Sequence, residues 1–256
     1  MFKISTLFLF LFCLLTLNVS AEFYQLKVYH IKTSQQEASV DEFLEKAYLP
    51  ALHRAGITRI GVFKPVLVAD IVPTEKLIYV FTPFNDYGEM AKLLKKLAKD
   101  ETYLVAGKSY LEALYTNPPY DRVETILMNP FEGHPKFKLP VLSSPKKTRI
   151  YELRSYESHT EALAKNKIEM FNKGDEIGLF KRLNFNAVFY GEVISGSRMP
   201  NLMYLTTFEN KVDRDAHWKT FGADAYWKEL SARPNYKNNV SKNDTRLLFP
   251  TDYSDI

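Results

Sequence analysis

Two segments of this chain repeat one pattern of aromatic, aliphatic and basic residues. FYQLKVYHIKT at residues 23–33 aligns with IYELRSYESHT at residues 150–160. The matched pairs are Tyr24 and Tyr151, Leu26 and Leu153, Lys27 and Arg154, Tyr29 and Tyr156, and Thr33 and Thr160, each 127 residues apart. Because solenoid repeats have periods of about 20 to 50 residues, a period this long is typical of a duplicated domain.

The repeat continues downstream, with a spacing that drifts as loop insertions would cause. Leu77-Ile78-Tyr79 resembles Leu202-Met203-Tyr204, and Tyr110 to Leu114 resembles Tyr226 to Leu230. We therefore expect Tyr79 and Tyr204 to hold equivalent positions in the two halves, as Tyr29 and Tyr156 do. Repetition of this kind favours core or interface packing for the tyrosines, since a catalytic tyrosine need not be duplicated.

Hydrophobic periodicity and turn residues predict the order β-α-β-β-α-β in each half, which is the ferredoxin-like arrangement. In the first half we predict a strand at 25–29, a helix opened by a capping box at 39–42 and ended by Gly56, strands at 57–68 and 76–84 joined by a turn at 70–75, a helix from Asp86, and a strand at 124–128. In the second half we predict a strand at 149–156, a helix at 161–183 interrupted near Gly174, strands at 185–194 and 201–208, helices at 213–221 and 224–230 separated at Gly222, and a strand at 245–249. Pro50 lacks an N–H, so it should bend the first helix near Lys46.

The domain boundaries follow from these elements. Residues 129–147 contain four prolines, which predicts a stiff spacer that can wrap around one domain. The predicted division is a signal peptide at 1–21, a first domain at 22–128, the linker at 129–147 and a second domain at 148–256. We expect the two domains to form one intrachain barrel.

The first residues have the composition of an export signal. Lys3 precedes an apolar run from Leu7 to Leu17, and Val19-Ser20-Ala21 supplies a small-residue cleavage site. A membrane anchor needs roughly 20 apolar residues in succession, and polar residues interrupt this run earlier. The sequence thus predicts a chain exported to the periplasm or secreted, cleaved after Ala21 and not spanning a membrane.

Charge and cysteine content exclude several classes of function. The single cysteine, Cys13, lies in the predicted signal, which excludes disulfides and thiolate catalysis from the mature chain. A formal net charge of +4 implies no nucleic-acid partner. Hydrolase, zinc-protease, phosphate-binding and dinucleotide-binding motifs are absent from the sequence, and the histidines lack metal-ligand spacing. We predict no cofactor.

Three motifs resemble the NIPSNAP domain. They are YELRSY at 151–156, NLMYLTTFENKVDRDAHWKTFGADAYWKEL at 201–230 and TRLLFP at 245–250. LKVY at 26–29 and LPALHRAG at 49–56 resemble the domain more loosely, and Leu111 stands where the second half has Trp227. The resemblance implies a dimeric α+β barrel, with both sheets supplied by one chain.

The same resemblance leaves the function open. NIPSNAP proteins have no agreed enzymatic activity, and the mitochondrial members are associated with vesicular trafficking and mitophagy signalling. Proteins that share the fold include cofactor-independent monooxygenases, haem-binding enzymes and stress-response proteins, so fold alone does not decide function.

The first strand of the second half carries charge that must be paired if it is buried. Strand alternation predicts that Tyr151, Leu153 and Ser155 pack on the helices while Glu152, Arg154 and Tyr156 face the interior between the sheets. Glu152 and Arg154 would pair with each other or, across the pseudo-twofold axis, with Lys27. A salt-bridge network that docks the two halves is the favoured interpretation, and an anion clamp is the alternative.

The predicted ligand-binding residues are Arg154, Tyr156, Tyr204, His217, Trp218 and Trp227. Trp218 and Trp227 are expected to shape an apolar pocket, with packing in the core as the competing interpretation. His217 lies between Asp215 and Lys219, which favours a helix surface over a haem ligand or general base. The predicted function is non-catalytic binding of a small apolar or aromatic molecule. The alternative is a cofactor-independent monooxygenase or haem-dependent enzyme, and further homo-oligomerisation is left open.

Overall fold

A computed structural model describes residues 22–66 and 76–256. The predicted signal peptide at 1–21 and the predicted turn at 70–75 lie outside the described residues. Among the helices that are described, none has the length and apolar character needed to cross a membrane.

In the part of the chain that the structure describes, eight strands form the sheet. They are β1 Phe23–Ile31, β2 Gly61–Pro65, β3 Lys76–Phe84, β4 Arg122–Pro130, β5 Ile150–Glu157, β6 Phe189–Ser195, β7 Asn201–Phe208 and β8 Lys242–Pro250. All of their pairings are antiparallel, and together they close in the order β1-β3-β2-β8-β5-β7-β6-β4. The fold is therefore α+β with a closed eight-stranded barrel.

The helices flank the strands in chain order. They are α1 Ser34–Phe43, a π-helical turn at Leu44–Tyr48, α2 Leu49–Arg54, α3 Tyr87–Leu97, α4 Glu101–Ala106, α5 Lys108–Leu111, α6 Glu161–Asn172, α7 Glu176–Arg182, α8 Lys211–Ala223 and α9 Ala225–Ala232. Short 3₁₀ turns at Lys146–Thr148 and Pro234–Tyr236 complete the elements. Each half thus follows the predicted order of strand, helix, strand, strand, helix and strand.

Two seams join the first four strands to the last four. At one seam β2 pairs with β8, where Phe63 lies opposite Pro250. At the other, β4 pairs with β6, where Met128 lies opposite Val193. Within each group the order is β4-β1-β3-β2 and β8-β5-β7-β6, so equivalent strands of the two halves lie on opposite sides of the barrel.

The barrel interior is filled by apolar side chains from both halves. Its buried cluster includes Tyr24, Leu26, Phe63, Phe81, Tyr151, Leu153, Phe189, Leu205 and Leu248. Three further members, Phe137, Val188 and Ile256, come from outside the strands. The ring of Phe137 lies 6.0 Å from that of Phe81, and its backbone N–H donates to the Glu22 carboxylate at 2.6 Å. One end of the barrel is thereby plugged.

Separate cores lie between the outer face of the barrel and the helices of each half. The first-half core joins β1, β2 and β3 to α1, the π-helical turn, α2, α3 and α4. The second-half core is rich in aromatic rings, with Phe171, Phe180, Phe185, Tyr204 and Phe221 buried together. These two layers cover the sheet faces that would otherwise expose apolar side chains to water.

The first helix begins earlier than the sequence predicted. The Thr33 hydroxyl accepts the N–H of Gln36 and caps a helix that starts at Ser34, so the expected capping box at Ser39 is wrong. The cap forms directly at the exit of β1, where the chain leaves the sheet. Gly56 is the expected helix end, since its positive φ of 94° follows the last helical turn.

Pro50 does not interrupt the middle of a regular α-helix. The preceding turn, Leu44–Tyr48, is π-helical, and Pro50 occupies the first turn of α2, where a missing N–H costs little. The irregularity thus lies where the sequence placed the bend, at the turn that contains Lys46.

Three predicted boundaries in the strands and helices are corrected. The break between α8 and α9 lies at Asp224, whose carboxylate accepts the N–H groups of Tyr226 and Trp227, and not at Gly222. The strand β6 begins at Phe189 because Asn184 and Asn186 have positive φ values of 56° and 48°. Strand β2 covers Gly61–Pro65, which is shorter than the predicted 57–68.

The faces of the first strands are the reverse of the prediction. Tyr151 and Leu153 point into the barrel, whereas Glu152 bonds to side chains of α8 on the helical side. The expected equivalence of Tyr79 and Tyr204 is also wrong. Strand pairing sets Lys27 opposite Val80 but sets Arg154 opposite Tyr204, so Tyr79 faces the barrel interior and Tyr204 faces the helices.

The segment between the halves is packed against β6. The N–H of Phe131 donates to the Tyr190 carbonyl at 3.1 Å, and the N–H of Lys138 donates to the Val188 carbonyl at 2.9 Å. The Phe131 and Phe137 side chains are buried. Apolar anchors therefore hold this proline-rich segment along the second half.

Closure of the barrel predicts that neither half is stable alone. Fragments 22–130 and 148–256 would each expose two sheet edges and the apolar inner face, so we expect them to self-associate or aggregate. Sedimentation velocity and urea denaturation of each fragment measure this directly. If both fragments stayed monomeric and as stable as the whole chain, the dependence of each half on the seams would be disproved.

Candidate functional site

A buried carboxylate organises the interface between β5 and α8. The Glu152 side chain has 0% exposure and accepts a hydrogen bond from Arg154 Nε at 2.7 Å. Arg214 holds the same carboxylate in a fork, with Nε at 2.7 Å and Nη2 at 2.8 Å. The indole Nε1 of Trp218 donates to it at 2.6 Å. Every oxygen of Glu152 is therefore engaged, as a buried charge requires.

Arg154 extends this network along the strand. Its guanidinium carbon lies 3.7 Å from the centroid of the Trp218 ring, a cation–π contact. Its Nη1 donates to the Tyr156 hydroxyl at 3.2 Å, and that hydroxyl lies 2.8 Å from the hydroxyl of Tyr204. Four of the six predicted site residues are thus connected through direct contacts.

Charge and burial act in opposite directions on the network. Burial raises the pKa of Glu152, but the hydrogen bonds from Arg214 and the charge of Arg154 outweigh it, so the pKa lies below its usual value. Burial raises the pKa of Tyr204 well above its usual value, with the neighbouring Tyr156 adding to the shift. Glu152 is consequently ionised and Tyr204 neutral at physiological pH.

The other two predicted site residues lie at the edge of this network. His217 Nδ1 lies 2.8 Å from the Asp213 carbonyl, and its ring packs at 5.8 Å from Phe185 and at 5.5 Å from Phe208. Trp227 reaches the network only through Phe221, whose ring lies 4.5 Å from that of Trp227 and 5.3 Å from that of Trp218. All six residues belong to or border one aromatic core.

Three charged residues in this layer were not predicted. Arg214 lies one helical turn before Trp218, so an i, i+4 search along α8 would have placed both on one face. The buried ion pair between Lys167 and Glu176, at 2.8 Å, joins α6 to α7 across a loop. Its partners are nine residues apart, which no regular helical spacing indicates.

The first half lacks an equivalent of the carboxylate. Gln25 stands where the second half has Glu152, and its amide Nε2 lies 3.5 Å from the sulfur of Met90. Lys27 Nζ lies 5.1 Å from the Tyr48 ring centroid, on the helical side of the first half. The hypothesis that Lys27 pairs with Glu152 across the barrel is therefore wrong, because the two side chains belong to different layers.

A cavity opens at the end of the barrel opposite Phe137. Its volume is about 70 Å³. Strands of both halves line it, and its apolar wall consists of Val28, Leu77, Tyr79, Ile126, Leu153 and Met203. Because the other end is plugged, the cavity is a blind pocket inside the barrel.

Paired polar side chains form the rim of the cavity. Glu124 Oε1 lies 2.7 Å from His30 Nε2, and Glu124 Oε2 accepts the Ser197 hydroxyl at 2.7 Å. Across the opening, Asp244 Oδ2 accepts Arg198 Nη1 at 2.6 Å, and Asp244 Oδ1 lies 3.1 Å from Arg246 Nε. An apolar floor under a polar rim is the usual construction of a small-molecule site.

Tyr79 is the phenol in the cavity wall. Burial raises its pKa to about 12, with the charges of Arg246 and Asp244 acting in opposite directions. The hydroxyl is therefore protonated at physiological pH. It can donate or accept a hydrogen bond there but is not a general base.

Comparison with known families decides the identity of the second half. Residues 151–255 match the family model of NIPSNAP. The chain carries a NIPSNAP domain. The matched range begins at β5 and includes the Glu152 network, α8 and α9. No curated protein matches the sequence.

Solved structures extend the comparison to the barrel as a whole. A candidate monooxygenase from Lactobacillus acidophilus NCFM is similar at 12% identity and a TM-score of 0.57, covering 90% of this chain and 94% of that one. A second candidate monooxygenase, from Fusobacterium nucleatum subsp. nucleatum ATCC 25586, gives 9% identity, a TM-score of 0.56 and coverage of 90% and 93%. An anthrone oxidase-like protein is similar at 7% identity and a TM-score of 0.52, and the match covers 90% of this chain and 92% of that one. At these identities the likeness shows a shared fold of the dimeric α+β barrel type around this NIPSNAP domain.

The network predicts that loss of Glu152 destabilises the protein more than loss of Arg154. Glu152→Ala leaves Arg154 and Arg214 beside each other without a carboxylate, so we expect a loss of about 3–5 kcal/mol. Arg154→Ala leaves Glu152 paired with Arg214 and Trp218, so we expect about 1–3 kcal/mol. Urea denaturation of both variants measures the free energy of unfolding.

Glu229→Ala is the matched control, since its partner Arg233 and the Glu229 side chain are both exposed. Its cost should stay below about 0.5 kcal/mol. Equal losses for Glu152→Ala and Arg154→Ala would show that Arg214 does not hold the carboxylate.

Proposed function

We propose that the protein is a binding module that holds a small molecule with an apolar body in the barrel-end cavity. The observation that carries this proposal is the asymmetry of the barrel. Phe137 and Ile256 plug one end, whereas the other end opens onto an apolar wall with a polar rim. A molecule in this cavity would bury its apolar part among side chains of both halves and leave its polar part at the rim.

The size of the cavity limits the apolar body. An engineered cavity of about 150 Å³ holds benzene. The cavity here, at about 70 Å³, has roughly half that volume. The small volume favours a ligand with a short aliphatic body over one with an enclosed aromatic ring. Of the apolar or aromatic ligands that the sequence predicted, the proposal therefore keeps the aliphatic ones.

The six sequence-predicted site residues remain a second, untested location for a ligand. Their contacts favour a structural role, because Glu152, Arg154 and Trp218 satisfy one another and anchor α8 on the sheet. We therefore place the ligand in the barrel-end cavity, and not beside Trp218 and Trp227.

Two further parts of the proposal concern organisation and location. The strand order within each half supports two ferredoxin-like domains, at 22–128 and 148–256, that arose by duplication. The composition of residues 1–21 supports export and cleavage after Ala21. Mass spectrometry of the protein from its native host tests export, because a mature chain beginning at Met1 would contradict it.

Filling the cavity should weaken binding. Val28→Phe adds a ring to the apolar wall, so we expect the affinity for the neutral probe pentanamide to fall at least tenfold. Methyl NMR spectra of Val28, Leu153 and Met203 report binding to the wild-type protein during titration. Ile126→Phe repeats the test from another strand, and circular dichroism establishes that each variant is folded.

Val212→Phe is the control for Val28→Phe, since it makes the same change on the exposed surface of α8. It should bind pentanamide as the wild type does. The proposal fails if the cavity-filling variants bind pentanamide as tightly as the wild type does, or if neither pentanamide nor a charged molecule of the same chain length binds the wild type.

The three similar barrel structures favour one alternative, an oxygenase that needs no cofactor. Two of those proteins are candidate monooxygenases and one is anthrone oxidase-like. A haem at His217 fits less well, because Phe185 and Phe208 pack on the imidazole and its Nδ1 faces the Asp213 carbonyl. The alternative function is therefore a monooxygenase that uses no haem.

Oxygen uptake with anthrone as the probe separates the alternative from binding alone. A binding module should leave the rate of oxygen consumption at the level of a heat-denatured sample. Protein-dependent uptake, lost in Tyr79→Phe but retained in Tyr115→Phe, would favour the oxygenase, because Tyr79 lines the cavity. Tyr115 is the matched control because it is almost fully exposed.

A further inference from the structure

The polar rim of the barrel-end cavity has its acceptors engaged. Both oxygens of Glu124 are bonded, one to His30 and the other to Ser197. Both oxygens of Asp244 are bonded as well, to Arg198 and Arg246. A ligand that offers only donors would therefore compete with existing partners.

Donors at the same rim are in excess. Each arginine has five N–H groups, and the contacts of Arg198 and Arg246 with Asp244 use only some of them. Asn201 is buried and lines the cavity, and its Oδ1 accepts the Ser155 hydroxyl at 3.0 Å. Within residues 22–66 and 76–256, its Nδ2 has no acceptor. Apart from the Tyr79 hydroxyl, which can donate or accept, the unused groups on these described side chains of the cavity are thus N–H donors.

The backbone holds Arg198 at the rim in an uncommon conformation. Its φ is 67°, in the left-handed region that non-glycine residues seldom adopt. The residue lies in the loop between β6 and β7, and its ion pair with Asp244 reaches across to β8. Local strain of this kind is concentrated at functional sites.

We propose that the cavity binds a short-chain aliphatic carboxylate, an inference that rests on the proposed binding function. The aliphatic chain lies against Val28, Leu153 and Met203, and the carboxylate accepts hydrogen bonds from Asn201 and the two rim arginines. A carboxylate fits because it carries only acceptors and matches the planar guanidinium fork. The cavity volume of about 70 Å³ limits the chain to a few carbons.

Nearby acidic groups set the strength of this site. Glu124 and Asp244 are neutralised by their partners. The negative charge of Glu157 also acts on Arg198, although these two side chains form no ion pair within the described residues. These carboxylates weaken the attraction for an anion, so the hydrogen bonds to Asn201, Arg198 and Arg246 supply the selectivity. The site is accordingly expected to prefer a carboxylate over its neutral amide by a moderate factor.

Pentanoate and pentanamide form the test pair, because they share a carbon chain and differ in the head group. NMR titration of the wild type should give at least tenfold tighter binding for pentanoate. Adding pentanoate should also shift the side-chain amide resonances of Asn201, a readout that requires no substitution.

Arg198→Gln and Arg246→Gln should each lower the affinity for pentanoate about fivefold to tenfold and change that for pentanamide less than twofold. Arg182→Gln is the matched control, since Arg182 pairs with Asp224 on the exposed side of α7, far from the barrel end. It should leave both affinities unchanged.

The outcomes separate this inference from the proposed function. Equal binding of pentanoate and pentanamide, or an unshifted Asn201 amide at saturation, would overturn the carboxylate assignment while leaving a neutral ligand in the cavity. If neither pentanoate nor pentanamide binds the wild type, the proposed function is overturned together with the inference.

Discussion

Closure of the sheet by two short seams is the constraint on which the rest of this structure depends. The β2–β8 and β4–β6 pairings satisfy the backbone groups that four-stranded halves would expose at their edges. Closure also buries the inner faces of both halves in one shared cluster. The polar network and the cavity are consequences of this arrangement, because each requires strands to be held in a fixed register.

The two halves differ most in the layer between sheet and helices. In the second half, Glu152 draws Arg154, Arg214 and Trp218 together and fixes α8 at one position on the sheet. In the first half, Gln25 carries no charge, and Lys27 rests near the Tyr48 ring instead. The presence or absence of one carboxylate therefore changes how an entire helix is attached, even though the strand order of the halves is the same.

The order of strands and helices could be predicted from the sequence, because hydrophobic periodicity is local. The strand faces could not. Tyr151 and Leu153 as well as Ile150 and Tyr156 are apolar enough to be buried, so both faces of β5 satisfy the pattern of an inward face. Which face points into the barrel depends on the curvature set by all eight strands. The Glu152–Arg154 pair was predictable from its spacing, whereas the partner Arg214 comes from α8, 62 residues away.

The barrel-end cavity could not be predicted because its walls come from segments far apart in sequence. Val28, Ile126 and Met203 belong to different strands, and nothing in their local sequence distinguishes them from other core residues. Its blind end depends on Phe137 and Ile256, which lie outside the repeat. Two identical halves alone would give a barrel with two similar ends. Phe137 and Ile256 fill one end only, and this difference creates an opening where an apolar interior meets unused hydrogen-bond donors.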